Sequence, residues 1–176
     1  METTSTFART TRTTFLVARG APKTEKEIMS DLCPFCEIVA GRSPASVVYA
    51  DAQVMGFMNL RPTRLGECMV IPKKHIDHFT DIPDKLAAHI MVIAQRIGRK
   101  MLSQFEGKRI GMVIHGFGVP YAHLILLTQQ NTTDITSGRF AKIEDGKIVY
   151  DHKRIPMLDR KVLDEHAARL RIDDLG

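Results

Sequence analysis

Short apolar runs between residues 47 and 71 give way, from Leu86, to apolar positions spaced three and four apart. Val47 to Ala50 and Val54 to Leu60 read as strands parted by Asp51-Ala52-Gln53, a hairpin. Cys68 to Ile71 reads as a third strand, ended by Pro72. Leu86, Ile90, Ile93, Ile97 and Met101 then recur at spacings of three and four, which predicts an amphipathic helix from Pro83 to about Phe105. Ile110 to Ile114 and Tyr121 to Leu127 predict two more strands. Before the hairpin, Ile38 to Ala40 is a short turn of helix or strand, followed by the turn Gly41-Arg42-Ser43-Pro44. Residues 128–157 hold mostly turn residues, with Lys147 to Tyr150 a possible short strand, and Leu158 to Leu170 looks like a closing helix. Five strands around one long helix, without regular βαβ alternation, predict an α+β domain with an antiparallel sheet.

Composition narrows the partners. The 176 residues suit one domain plus tails, and 44% hydrophobic content suits an ordinary core. No apolar run is long enough to suggest a membrane span. The net charge is +5, but part of it lies in residues 1–28, and no dense Lys/Arg stripe argues for a nucleic-acid partner. Three cysteines, two of them close together, make no disulfide framework and fit a reducing cytoplasm. Residues 1–28 are rich in Thr and Arg and fit either a disordered organelle leader or a mis-assigned start. The expected division is therefore 1–28, a domain at 29–130, and an extension with its closing helix at 131–176.

The stretch Val119-Pro120-Tyr121-Ala122-His123-Leu124-Ile125-Leu126-Leu127 adds candidate chemistry. Read as a strand, it puts Tyr121, His123 and Ile125 on one face and Ala122, Leu124 and Leu126 on the other. It follows the glycine-bearing turn Gly116-Phe117-Gly118, whose backbone N–H groups could hold a phosphate. A neutral imidazole is a nucleophile near pH 7. Cys33 and Cys36 have the spacing of a zinc knuckle awaiting two further ligands, and equally that of two reduced, buried thiols.

Four segments in order resemble the histidine-triad superfamily. Cys33-Pro34-Phe35-Cys36-Glu37-Ile38 resembles the CxxC segment of many bacterial members. Phe57-Met58-Asn59-Leu60-Arg61-Pro62 and Gly66-Glu67-Cys68-Met69-Val70-Ile71-Pro72-Lys73-Lys74-His75 are similar to two of its strand motifs. Val119-Pro120-Tyr121-Ala122-His123-Leu124-Ile125 resembles its V-P-H-x-H-x-H signature, with Tyr121 and Ile125 where the outer histidines stand.

The resemblance implies a nucleotide hydrolase or transferase. His123 would attack the α-phosphate of a nucleoside phosphoramidate or dinucleoside polyphosphate, with no cofactor required for that step. Gly118 and Val119 would offer backbone N–H groups to the phosphate. Phe57 and Leu60 would line a base pocket, although Phe57 also fits plain core packing. Asn59 fits a ribose ligand or an Asx-type cap equally well. Ile125 cannot donate a hydrogen bond, so turnover should be slow. The resemblance also implies a homodimer, and a zinc ion on Cys33, Cys36 and His75, whose fourth position falls on Tyr121, a poor zinc ligand that His78 or water could replace. A nucleotide-binding module without turnover, or a zinc-stabilised scaffold, is the alternative.

Overall fold

The computed structural model describes residues 33–116, 118–134, 141–150 and 154–173; the leader expected at 1–28 lies outside these. Its main sheet has the order β1-β2-β3-β5-β4, every neighbour antiparallel. The strands are β1 (Val47–Ala50), β2 (Val54–Met58), β3 (Cys68–Pro72), β4 (Arg109–His115) and β5 (His123–Gln129). The α+β expectation therefore holds.

The expected hairpin is present, and Asp51 closes it. One carboxylate oxygen accepts from the backbone N–H groups of Gln53 and Val54 at 2.7 and 2.6 Å, the local bonding that makes Asp a turn residue. The segment at Ile38 resolves as a helix, α1 (Pro34–Val39), with proline in its first turn where no N–H is needed. The long helix, α2 (Asp84–Gln104), turns Ile90, Ile93, Ala94, Ile97 and Met101 inward, as its stripe requires. These pack with Val48, Val54, Val70, Leu124 and Leu126 from one face of the sheet. The closing helix α3 (Arg160–Leu170) adds Leu163, Ala167 and Leu170 to the same core. Asp159 caps it by accepting from the Lys161 N–H at 2.8 Å. Past α3, the Ile172 N–H bonds to the Val48 carbonyl and covers part of the outer edge of β1.

Gly66 is a position where glycine is required. Its φ is +84°, and a Cβ there would lie 2.7 Å from the Phe105 ring.

Two elements depart from expectation. β5 starts at His123, two residues later than the pattern suggested. Pro120 has no N–H, the Tyr121 N–H turns back to the Val119 carbonyl, and the Ala122 N–H bonds to the Ile76 carbonyl, so none of the three enters the ladder. A second, two-stranded sheet also forms, β6 (Ala141–Glu144) with β7 (Lys147–Tyr150). Only β7 was anticipated. The signal for β6 was Asp145-Gly146, both at positive φ, the dipeptide that suits a two-residue hairpin loop. No helix among the described residues is long and apolar enough to cross a membrane.

Candidate active site

The face of the sheet opposite α2 carries the residues singled out above. Tyr121 packs there with Cys33, Phe35, Met55, Phe57 and Ile71, while Ala122, Leu124 and Leu126 enter the main core. The alternation expected across residues 121–126 therefore survives the later start of β5. The Phe35 ring meets His123 and Tyr121 edge-on, with centroids 5.2 and 5.5 Å apart. α1 thus walls the histidine on one side.

His123 is 6% exposed. Its Nδ1 lies 2.6 Å from the Tyr121 carbonyl oxygen. A carbonyl only accepts, so Nδ1 must carry the proton and Nε2 the lone pair. The bond also fixes the ring plane. The arrangement exists because the Val119–Tyr121 turn bends the Tyr121 carbonyl back toward the start of β5.

A Cβ on Gly116 or Gly118 would meet nothing within 4 Å, so both glycines stand in open space where the backbone can be approached. Gly118 is exposed and Val119 half-buried; Phe117 lies outside the described residues. Ile125, half-buried two residues along the strand, supplies only hydrocarbon.

The cysteine knuckle and His75 do come together. The ligand atoms of Cys33, Cys36 and His75 all lie within 4.8 Å of one another, and Cys36 Sγ is 3.1 Å from His75 Nδ1. Ligands on a tetrahedral zinc stand roughly 3.5–3.8 Å apart, given bonds of about 2.0–2.3 Å, so small adjustments would seat an ion. The Ala122–Ile76 bond brings the His75 loop against the signature turn, and the His75 ring lies 4.7 Å from that of Tyr121.

Neither expected fourth side chain joins the group. The Tyr121 hydroxyl donates to the Pro72 carbonyl at 2.5 Å. Burial first, and the nearby Cys36 and Cys33 second, push its phenol well above the ordinary range. His78 instead pairs its Nδ1 with the Thr80 hydroxyl at 2.6 Å. Cys68 is a core residue, its thiol pushed far up by burial and secondarily by Glu67, which makes it unreactive.

At the end of β2, Phe57 is buried against Phe35 and Leu60 is 42% exposed. Asn59 makes the bond of an Asx-type turn. Its side-chain oxygen accepts from the Arg61 N–H at 3.1 Å, and its amide nitrogen donates to Glu67 at 2.5 Å. Glu67 is 2% exposed and also accepts from the Thr63 N–H and hydroxyl. Sequence reasoning passed over Glu67 because it stands within a strand motif without any local pattern of its own.

Comparison with known proteins agrees with this geometry. Residues 40–131 match the HIT domain. A protein from Bacillus subtilis, "Protein hit", is 35% identical over 42% of this chain and 51% of its own length. An adenosine 5'-monophosphoramidase from Saccharomyces cerevisiae is 32% identical over 39% of this chain and 44% of its own. The chain thus spans about half the length of such curated relatives. Among solved structures, a zinc-bound histidine triad family protein from Mycobacterium smegmatis superimposes with a TM-score of 0.56 at 27% identity, over 80% of this chain and 96% of that one. A HIT-like protein from Bartonella henselae shares the fold with a TM-score of 0.62 at 19% identity, over 79% and 93% of the two chains. With its domain matched over more than half its length and its sheet, helix and signature histidine in place, the chain belongs to the HIT family.

Proposed function

We propose that this protein hydrolyses or transfers at the α-phosphate of a nucleotide, with His123 as nucleophile. Nucleoside phosphoramidates are the favoured substrates and dinucleoside polyphosphates the next. The observation that carries the reading is the 2.6 Å bond from His123 Nδ1 to the Tyr121 carbonyl, because it assigns the lone pair to Nε2. In the first step an Nε2–P bond forms and the P–N bond of the phosphoramidate breaks, the departing amine taking a proton from water. The Tyr121 carbonyl stabilises the positive ring that results. Water then attacks phosphorus, the Nε2–P bond breaks, and the proton leaves to solvent. Backbone N–H groups of Gly118 and Val119 are the phosphate contacts, and Leu60 with Phe57 the base contacts. The phosphoramidase relative in yeast supports the substrate class.

Cys33, Cys36 and His75 would hold a structural zinc, with water completing the shell. Such an ion would crosslink α1 to the segment after β3 and so fix the wall behind His123. A homodimer is part of the same proposal. β4 is an edge strand, and Met112 and Ile114 on it are exposed beside Met91 and Leu102 of α2. An apolar groove of about 420 Å³ is lined by Met91, Leu102 and Met112. Sedimentation at equilibrium tests it: a monomer at micromolar concentration rejects it.

A second reading, nucleotide binding without turnover, is favoured by the low exposure of His123 and the hydrocarbon at Ile125. Acid-quench mass spectrometry with a labelled adenosine phosphoramidate separates the two. A nucleotidyl adduct on His123 supports the enzyme. Calorimetric binding with no adduct and no product supports the module.

A further inference from the structure

We infer that Cys33 and Cys36 are a modification site, which hydrogen peroxide converts reversibly to a disulfide. The link itself goes beyond the zinc reading above; only its competition with the ion rests on that reading.

Cys33 is the N-cap of α1 and Cys36 its third residue. The Glu37 N–H bonds to the Cys33 carbonyl at 3.1 Å and closes the first helical turn. Side chains at the N-cap and third positions lie side by side, as they do in a capping box. Cα atoms three apart in a helical turn stand roughly 5 Å from each other, inside the range of about 4.4–6.8 Å that a disulfide spans. The two sulfurs already lie within 4.8 Å of each other. Joining them therefore asks for side-chain rotation and not for a shift of the backbone.

Exposure sets the order of events. Cys33 is 4% exposed, whereas Cys36 is only half-buried. The peroxide meets Cys36 first. Its sulfur attacks one peroxide oxygen, the O–O bond breaks, and the thiol proton leaves with the departing oxygen as water. The Cys33 sulfur then attacks the sulfur of the Cys36 sulfenic acid, the S–O bond breaks, and the Cys33 proton leaves with that oxygen as a second water. Two electrons pass from the thiol pair to the peroxide. Cys68 is fully buried in β3 and serves as the internal control.

The segment between the cysteines carries the change toward His123. Phe35 meets His123, Tyr121 and Phe57 edge-on. Sulfurs joined at about 2 Å do not also stand roughly 3.5–3.8 Å apart on a zinc ion. Oxidation therefore expels the ion, and with it the crosslink from α1 to His75.

The test treats the full chain with hydrogen peroxide, zinc-loaded and after chelation, and follows it by thiol count and peptide mass mapping. The expected result is the loss of two of the three free thiols and a Cys33–Cys36 link about 2 Da lighter than the dithiol, both reversed by dithiothreitol. In Cys33→Ser, a sulfenic acid should persist on Cys36 and be trapped by dimedone. Zinc-loaded protein should release its ion to a chromogenic chelator in step with the link. No link in chelated protein, or oxidation that stops at a sulfinic acid on Cys36 or lodges on Cys68, overturns the inference. A link that forms with zinc retained overturns the competition. A link in protein that takes up no zinc upholds the inference and rejects the zinc reading alone.

Discussion

The imidazole of His123 is held by the carbonyl of Tyr121, two residues earlier in the chain and 2.6 Å from its Nδ1. This contact assigns the tautomer and aims Nε2. The residue at 121 supplies its backbone, and its own hydroxyl is spent on Pro72. Tyr121→Phe should therefore leave the orientation of His123 intact and change kcat by less than about fivefold, since one neutral hydrogen bond is worth about 1 kcal/mol. A hundredfold drop under steady-state assay would show that the phenol takes part.

His123→Ala should remove turnover of adenosine phosphoramidate by at least roughly a thousandfold, the scale on which loss of a covalent nucleophile acts. Circular dichroism should show the fold unchanged. Residual activity near that of the parent would mean that another group attacks phosphorus.

Ile125→His restores a donor beside the nucleophile. Position 125 pairs with Met69 and Val113 across the sheet, is half-buried, and lies two residues from His123 on the same strand face. One preorganised donor is worth roughly a hundred- to a thousandfold in rate. An increase of at least about tenfold in kcat is expected, and no increase would place the phosphate elsewhere.

The zinc proposal predicts about one zinc per chain by elemental analysis, and none in Cys36→Ser. Chelation should lower the melting temperature of the parent and leave the variant unaffected. Metal-free protein with an unchanged melting curve would leave Cys33 and Cys36 as ordinary thiols.

Asp51 and His166 should make stability fall with acid in two separate windows. Burial alone would raise Asp51, but bonds from Tyr49, His89 and the N–H groups of Gln53 and Val54 outweigh it and hold the carboxyl down at about 2. Its contribution is complete above about pH 4 and is lost as the pH falls toward 2. Asp51→Asn should cost roughly 1.5–3 kcal/mol at pH 7, with the difference from the parent vanishing near pH 2.

His166 is 8% exposed against Phe105, and its Nδ1 has no partner among the described residues. Burial first and Arg169 second lower its pKa below the ordinary value. The folded state therefore keeps it neutral while the unfolded chain takes up a proton below about pH 6.5. Stability that is present above that value is lost as the pH drops toward the folded pKa. His166→Phe should flatten melting temperature against pH between 7 and 5. An unaltered slope would assign the acid sensitivity to another group.

Local pattern by itself determined the four strands β1 to β4, the helical stripe from Leu86 to Met101, and the face that His123 shares with Tyr121 and Ile125. Each depends on periodicity, which follows from backbone geometry alone. The helix α1 and the start of β5 were less legible. They turn on where individual N–H groups find acceptors, such as Ala122 on Ile76, and that choice is made across the fold. The same holds for the site. The residue types at Cys33, Cys36, His75 and His123 could be read as chemistry from spacing and resemblance. The sulfur of Cys36 meets His75 across 39 positions only because the signature turn docks on the loop after β3. Asn59 is a further case, since its bond to Glu67 could not be read from spacing: the need of that buried carboxylate for donors arises only once the chain has folded around it.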